Sequence, residues 1–407
     1  MPHGSGGATA SRVHRERRGD IDNLKVTLVA GVILTHAVLT YADAGDWFYQ
    51  EKNLGELVTL VVFLPGLVGA LFAMGLFFLV AGWFSPPALE RKGPWRFSQD
   101  RLLRLGLPLV AFMVLVTPFV NELVAYQTED LHRPVLPFFR HLISHLDTGP
   151  LWFLAVLLLF SLGYAAIRAI HPRSAHTRPP GEEESSGGLR AWHLVVLGVV
   201  IAVTSFLVRL EFAMDSKQVM NLHVFQWPQH LALFAFGVLC GERGWLDPVP
   251  DRLRRGCGWV ALAAMAALPV VMALGGAFAE DGSPDAFSGG VHWESLATSV
   301  IEGALAVGAS IWFLAWFRRR WSHQGPLARE LARAAYGAFI LQTPVLVLVA
   351  LALRPLSMTP ELKLLVLAPV AVMASFGLSW LAGEAVARLT GRAHAPSGAG
   401  RAPTGAS

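Results

Sequence analysis

Charge is scarce in this chain. Only 15% of its 407 residues are Asp, Glu, Lys or Arg, against about 25% in ordinary soluble domains. That shortage excludes a solvated globular enzyme. Cysteine is scarcer still, with two residues, Cys240 and Cys257. They flank a short basic segment and are expected to be small apolar residues rather than a disulfide framework or a metal site. No internal repeat stands out. The first residues, MPHGSGGATASRVHRERRGD, contain no short apolar core followed by a small-residue cleavage site, so no signal peptide is expected.

What the chain has is apolar length. It is 54% hydrophobic, with a mean hydropathy of +0.48. The apolar residues fall in blocks of about 17–28, long enough to cross a hydrocarbon core of roughly 30 Å. The expected fold is all-α, a polytopic membrane helix bundle of about ten transmembrane helices. The expected spans are roughly 24–41, 57–84, 105–125, 150–170, 191–208, 225–241, 257–278, 295–316, 335–353 and 362–387. Residues 1–20 read as a flexible basic N-terminal tail, 21–388 as one membrane-embedded domain and 389–407 as a disordered tail. The polar run at 171–190 reads as a linker without its own fold.

Basic residues set the expected orientation. With the N-terminus in the cytoplasm, 26 of the 33 Lys and Arg fall on the cytoplasmic side, a strong positive-inside bias. Both termini are then cytoplasmic, and the protein is a multi-pass protein of the cell (inner or plasma) membrane. The sequence pI of about 9.3 therefore marks an inner face attracted to anionic lipid headgroups. The expected partner is the lipid bilayer, and no nucleic acid.

The first span, IDNLKVTLVAGVILTHAVLTY (21–41), holds Lys25 and His36. Eleven residues are close to three helical turns, so both lie on one face, roughly 16 Å apart along the axis. Lys25 is expected at the cytoplasmic interface and His36 near mid-membrane. The bland alternative is a neutral histidine bonded to a neighbouring helix. An ionisable residue inside a span is nevertheless a functional candidate, and imidazole suits general-base or acyl-accepting work. Downstream, Arg101 and Arg104 form an R-x-x-R pair at the mouth of the third span, expected to face one way. Paired guanidiniums suit phosphate, although positive-inside anchoring explains them too.

Five segments in order carry a resemblance. The Lys25-to-His36 spacing, FFLVAGWF (77–84), RFSQDRLLRLGLPLV (96–110), GPLWFLAVLLL (149–159) and ARAAYGAFILQTPVL (333–346) resemble the acyltransferase 3 family of integral membrane acyltransferases. The resemblance spans about residues 20–388. The stretch LVAGWFSPPALERKG with DRLLRLGLP looks closest to members similar to the glucan biosynthesis succinyltransferase. Lys25 stands where Arg is commoner, Ala81 where Ser is usual and Gln342 where His is common, so residue 342 is not expected to be a base.

The resemblance implies an acyltransferase moving a group other than an aminoacyl group. The expected reaction passes an acyl group, acetyl or succinyl, from cytoplasmic acyl-CoA to a hydroxyl of a glycan or other sugar-containing acceptor. Acyl-CoA is a co-substrate, and no tightly bound cofactor is expected. Lys25, Arg101 and Arg104 are the expected acyl-CoA-binding residues and His36 the expected catalytic one.

Glu302, inside the eighth span, is placed beside His36 as a catalytic candidate that orients the imidazole or an acceptor hydroxyl; a helix–helix contact explains it equally. His230 is expected to be structural, at the outer interface. Trp152, Trp312 and Trp380 read most simply as interface or packing residues. His132, His141 and His145 lack the carboxylate or cysteine that would complete a zinc site, so no metal is expected. Two other classes stay open: a secondary transporter with a buried His/Glu proton site, and a membrane receptor or scaffold.

Overall fold

The structure, a computed structural model, describes residues 18–42, 47–51, 54–129, 147–172, 188–214, 219–277, 279 and 285–390. His132, His141 and His145, most of both terminal tails and most of the 171–190 segment lie outside the described residues.

Every regular element among the described residues is helical. The first helix, α1, is Gly19–Tyr41, and α2 is Glu56–Arg101. The third span continues through a π turn (Leu102–Gly106), α3 (Leu107–Ala111), a second π turn (Phe112–Val116) and α4 (Thr117–Glu129). Then come α5 (Trp152–Ile170), α6 (Ala191–Arg209), α7 (Trp227–Arg243) and α8 (Asp251–Leu274). The last three are α9 (Trp293–Arg320), α10 (Pro326–Leu353) and α11 (Pro360–Leu389). The all-α membrane bundle expected from the sequence is the observed architecture.

Among the described residues eight helices are long and apolar enough to cross a membrane, against ten expected spans. Two local features account for the difference. The second and third spans form one continuous stretch, Leu71–Thr128, whose chain turns at Gly93 (φ 74°). That left-handed conformation is open to glycine at no steric cost. The other feature is α7, which has only 17 residues, roughly 25 Å of helix.

The two π turns have a proline rationale. Pro108 and Pro118 follow them, and proline cannot donate to the carbonyl four residues back. For Pro108 that carbonyl belongs to Arg104, and the Tyr336 hydroxyl of α10 donates to it instead.

Helix α1 lies between two apolar clusters. Val29, Ile33, Ala37 and Tyr41 pack with α5, α10 and α11. Ile21, Leu24 and Leu28 pack with α2, α6, α8 and α9. Close crossings hold the second group together, because lipid supplies no hydrophobic drive between helices and contact must do so. A Cβ on Gly237 or Gly241 of α7 would collide with the Leu79 or Trp83 carbonyl of α2. These two glycines form a G-x-x-x-G pair, the pattern that lets helix backbones touch. Outward, Leu103, Val195, Trp259 and Leu365 remain exposed, as a lipid-facing surface requires.

Polar contacts gather at the two ends of the bundle. Arg18 pairs with Asp247 at 2.9 Å, Arg318 also pairs with Asp247, and Arg319 pairs with Asp251. Asn23 donates to the Trp321 carbonyl at 2.7 Å. Segments assigned to one side from charge counting thus meet at one end. At the other end Lys363 pairs with Glu51 at 3.1 Å, and Arg354 donates to the Gln127 carbonyl.

Candidate active site

Helix α1 runs unbroken from Gly19 to Tyr41, so Lys25 and His36 keep the three-turn spacing read from the sequence. His36 sits five residues from the Tyr41 end, closer to that end than to mid-helix. Its Nδ1 lies 3.1 Å from Gln342 Oε1 of α10. With the amide oxygen assigned to face it, Nδ1 is the donating nitrogen of a neutral ring and Nε2 the accepting one. Residue 342 is therefore the group that orients the imidazole, a role the sequence did not signal.

Trp47 stacks on His36 with ring centres 4.3 Å apart and planes 17° apart. The chain folds back over the end of α1 to put it there. Glu51 N donates to the Thr40 carbonyl at 2.8 Å, and Gln50 Nε2 to the Leu39 carbonyl at 3.1 Å. The Lys363–Glu51 pair anchors this return, and Tyr49 donates to the same carboxylate at 2.9 Å.

His36 opens onto a cavity of about 500 Å³. One face of α1 lines it from Thr27 to Leu39, roughly 18 Å of helix. Phe72 of α2, Phe313 of α9 and Phe339 of α10 close its sides, and Trp152, His223 and Gln226 face it. Among the described residues its lining holds no Lys, Arg, Asp or Glu. Burial keeps His223 below the ordinary imidazole range, while the Asn221 carbonyl and Asp147 pull it back upward.

The basic residues lie elsewhere. Lys25 pairs with Asp22 at 3.7 Å and lies 6.0 Å from the Phe84 ring centre. Arg101 is half-buried with its guanidinium 4.9 Å over Phe97, and its buried Nε has no partner. Arg104 is exposed and pairs with Asp100 at 2.9 Å. Both arginines act on the Asp100 carboxylate, whose pKa partial burial would raise and the charges of Lys92, Arg104 and Arg101 lower on balance.

Glu302 lies at a helix–helix contact. It does not line the His36 cavity. It is 1% exposed and pairs with Arg209, also 1% exposed, between α6 and α9. Arg209 also donates to Ser299 Oγ at 3.2 Å. This is the helix–helix contact that the sequence offered as the alternative to an orienting role beside His36. His230 is also more buried than expected. It stacks on Phe78 at 4.6 Å and leans on Trp152 at 5.3 Å. This is a packing role inside the bundle, not at its interface.

Fold and site together define a multi-pass membrane protein whose interior cavity is lined by an imidazole held against α10 by Gln342. The chain matches the acyltransferase domain family, acyltransferase 3, over residues 18–384. It belongs to that family and is a membrane acyltransferase, transferring groups other than aminoacyl groups. No curated protein and no solved structure matches it.

Proposed function

We propose that this acyltransferase moves a short acyl group from cytoplasmic acyl-CoA to a hydroxyl of a sugar-containing acceptor, with His36 as general base. The observation that carries this reading is the His36 imidazole, held through Nδ1 by Gln342, on a cavity that follows α1 for about 18 Å. A pantetheine-like arm can lie along that length, with the thioester at the imidazole. In the reaction His36 Nε2 takes the hydroxyl proton and the oxygen attacks the thioester carbonyl. The C–O ester bond forms, the C–S bond breaks, and the imidazolium returns the proton to the departing thiolate.

The uncharged lining favours acetyl over succinyl. Among the described lining residues a succinyl carboxylate would find no cation. Arg101, Arg104 and Lys25 are the proposed contacts for the CoA phosphates at the cytoplasmic end. Arg101 is the stronger candidate, because its buried Nε is unpartnered. The transporter alternative needs a free proton-carrying carboxylate, and pairing with Arg209 takes Glu302 out of that role.

Changing Arg101 and Arg104 together to Ala should weaken acyl-CoA affinity about tenfold or more, since a charge-assisted contact contributes roughly 1.5–3 kcal/mol. Lys at both positions should restore part of it. Unchanged affinity in titrations of the purified double variant would reduce the pair to a topology signal.

The orientation has its own test. A cysteine introduced at Asp285 should react with an impermeant maleimide on intact cells, whereas cysteines at Gln99 and Ser322 should not. All three positions are exposed. Labelling at Gln99 or Ser322 from outside would invert the assignment and place the donor on the wrong face.

A further inference from the structure

The cavity that His36 lines carries two hydrogen-bond acceptors that the reaction above does not use. His223 Nδ1 lies 2.8 Å from the Asn221 carbonyl. That oxygen only accepts, so Nδ1 bears the proton and Nε2 keeps its lone pair. Gln226 Oε1 is buried with no hydrogen-bond partner. Both side chains line the same cavity as His36. A buried amide oxygen without a partner is rare in folded proteins and points to a missing donor.

The backbone here is shaped at some expense. Met220 (φ 55°), Asn221 (φ 56°) and His223 (φ 49°) are all left-handed, and none is glycine. Such conformations persist only where surrounding contacts enforce them, and they gather at functional sites. The contacts are present. Thr148 Oγ1 donates to the Met220 carbonyl at 2.8 Å, Trp227 Nε1 to the Leu222 carbonyl at 2.8 Å, and Gln226 N to the His223 carbonyl at 2.9 Å. The His223 ring lies against Trp152, centre to centre 4.9 Å.

We propose that His223 and Gln226 form the acceptor subsite, where Nε2 and Oε1 accept hydrogen bonds from two hydroxyls of a neutral polyol while a third hydroxyl reaches His36. Its place in the reaction rests on the acyl-transfer reading; the binding does not. Two lone-pair acceptors require two O–H donors, which a sugar diol supplies. A phosphate or carboxylate brings only further acceptors. An ammonium group would be buried without a carboxylate, since the described lining has none.

The test is isothermal titration of the detergent-purified full chain with methyl glucoside and with its 2,3-dideoxy counterpart, without donor. Asn tolerates the left-handed backbone best among side-chain-bearing residues, so His223→Asn keeps the loop. Gln226→Met keeps the volume and removes the acceptor. Each variant should bind methyl glucoside about 3- to 10-fold more weakly, the effect of one lost hydrogen bond. The dideoxy sugar should bind the wild type more weakly by at least as much, and should lose little further in either variant. Equal binding of the two sugars by wild type, or wild-type affinity in both variants, would overturn the subsite. A wild type that distinguishes the sugars but transfers nothing from acyl-CoA would overturn the acyl-transfer reading and leave the subsite standing.

Discussion

His36→Gln should lower acyl transfer about 10²–10⁴-fold, the usual contribution of a general base. The substitution keeps a neutral side chain able to bond Gln342, and it leaves Trp47 a flat polar partner. What it removes is a nitrogen that can take a proton. If His36 only bridged α1 and α10 through its 3.1 Å contact with Gln342, an amide at that position would preserve most of the activity. Transfer by purified His36→Gln and wild type, measured beside their thermal stability in detergent, separates the two roles. Activity within a few-fold of wild type would remove His36 from the mechanism. Gln342→Leu is the companion variant. It leaves the imidazole but frees its tautomer and rotation, so a smaller loss is expected.

The second large effect concerns stability rather than chemistry. Arg209→Met should destabilise the protein by about 3–5 kcal/mol, because breaking a buried pair leaves an uncompensated charge. Both partners are 1% exposed, so solvent does not screen the loss. Changing Glu302 to Leu in the same chain should recover most of the stability, since a well-packed apolar replacement for a buried ion pair is often neutral or better. Transfer activity should return with it. Chemical unfolding in detergent and a transfer assay on the single and double variants decide the matter. A stable double variant without activity would put Glu302 back into the mechanism. Equal stability of Arg209→Met and wild type would mean the pair is not the α6–α9 contact described here.

The charge pattern and the α1 periodicity were legible because both are one-dimensional. Lys25 and His36 keep their spacing for the simple reason that α1 has no break. Segments expected on one side do meet, as in the contacts of Arg18, Arg318 and Arg319 with Asp247 and Asp251. The failures come from partners distant in sequence. Arg209 ends an apolar run and counts as a loop charge, yet it is buried against Glu302, 93 residues away. Gln342 stood out only as a departure from the family pattern, and its 306-residue separation from His36 hid the bond. Trp47 follows α1 in a segment with no periodicity, so nothing in the sequence predicted its return onto the imidazole. His223 and Gln226 belong to no motif and fall outside the expected spans or at the start of one.

The central claim is that acyl groups leave acyl-CoA on the Lys25 side and reach a hydroxyl from the Tyr41 side through the cavity at His36. Proteoliposomes with radiolabelled acetyl-CoA confined to one face and methyl glucoside to the other test it directly. The account predicts labelled ester on the sugar side when the donor faces the Lys25 end, and little when the two substrates are exchanged. Equal ester formation from either face, or none from the Lys25 face, would contradict it.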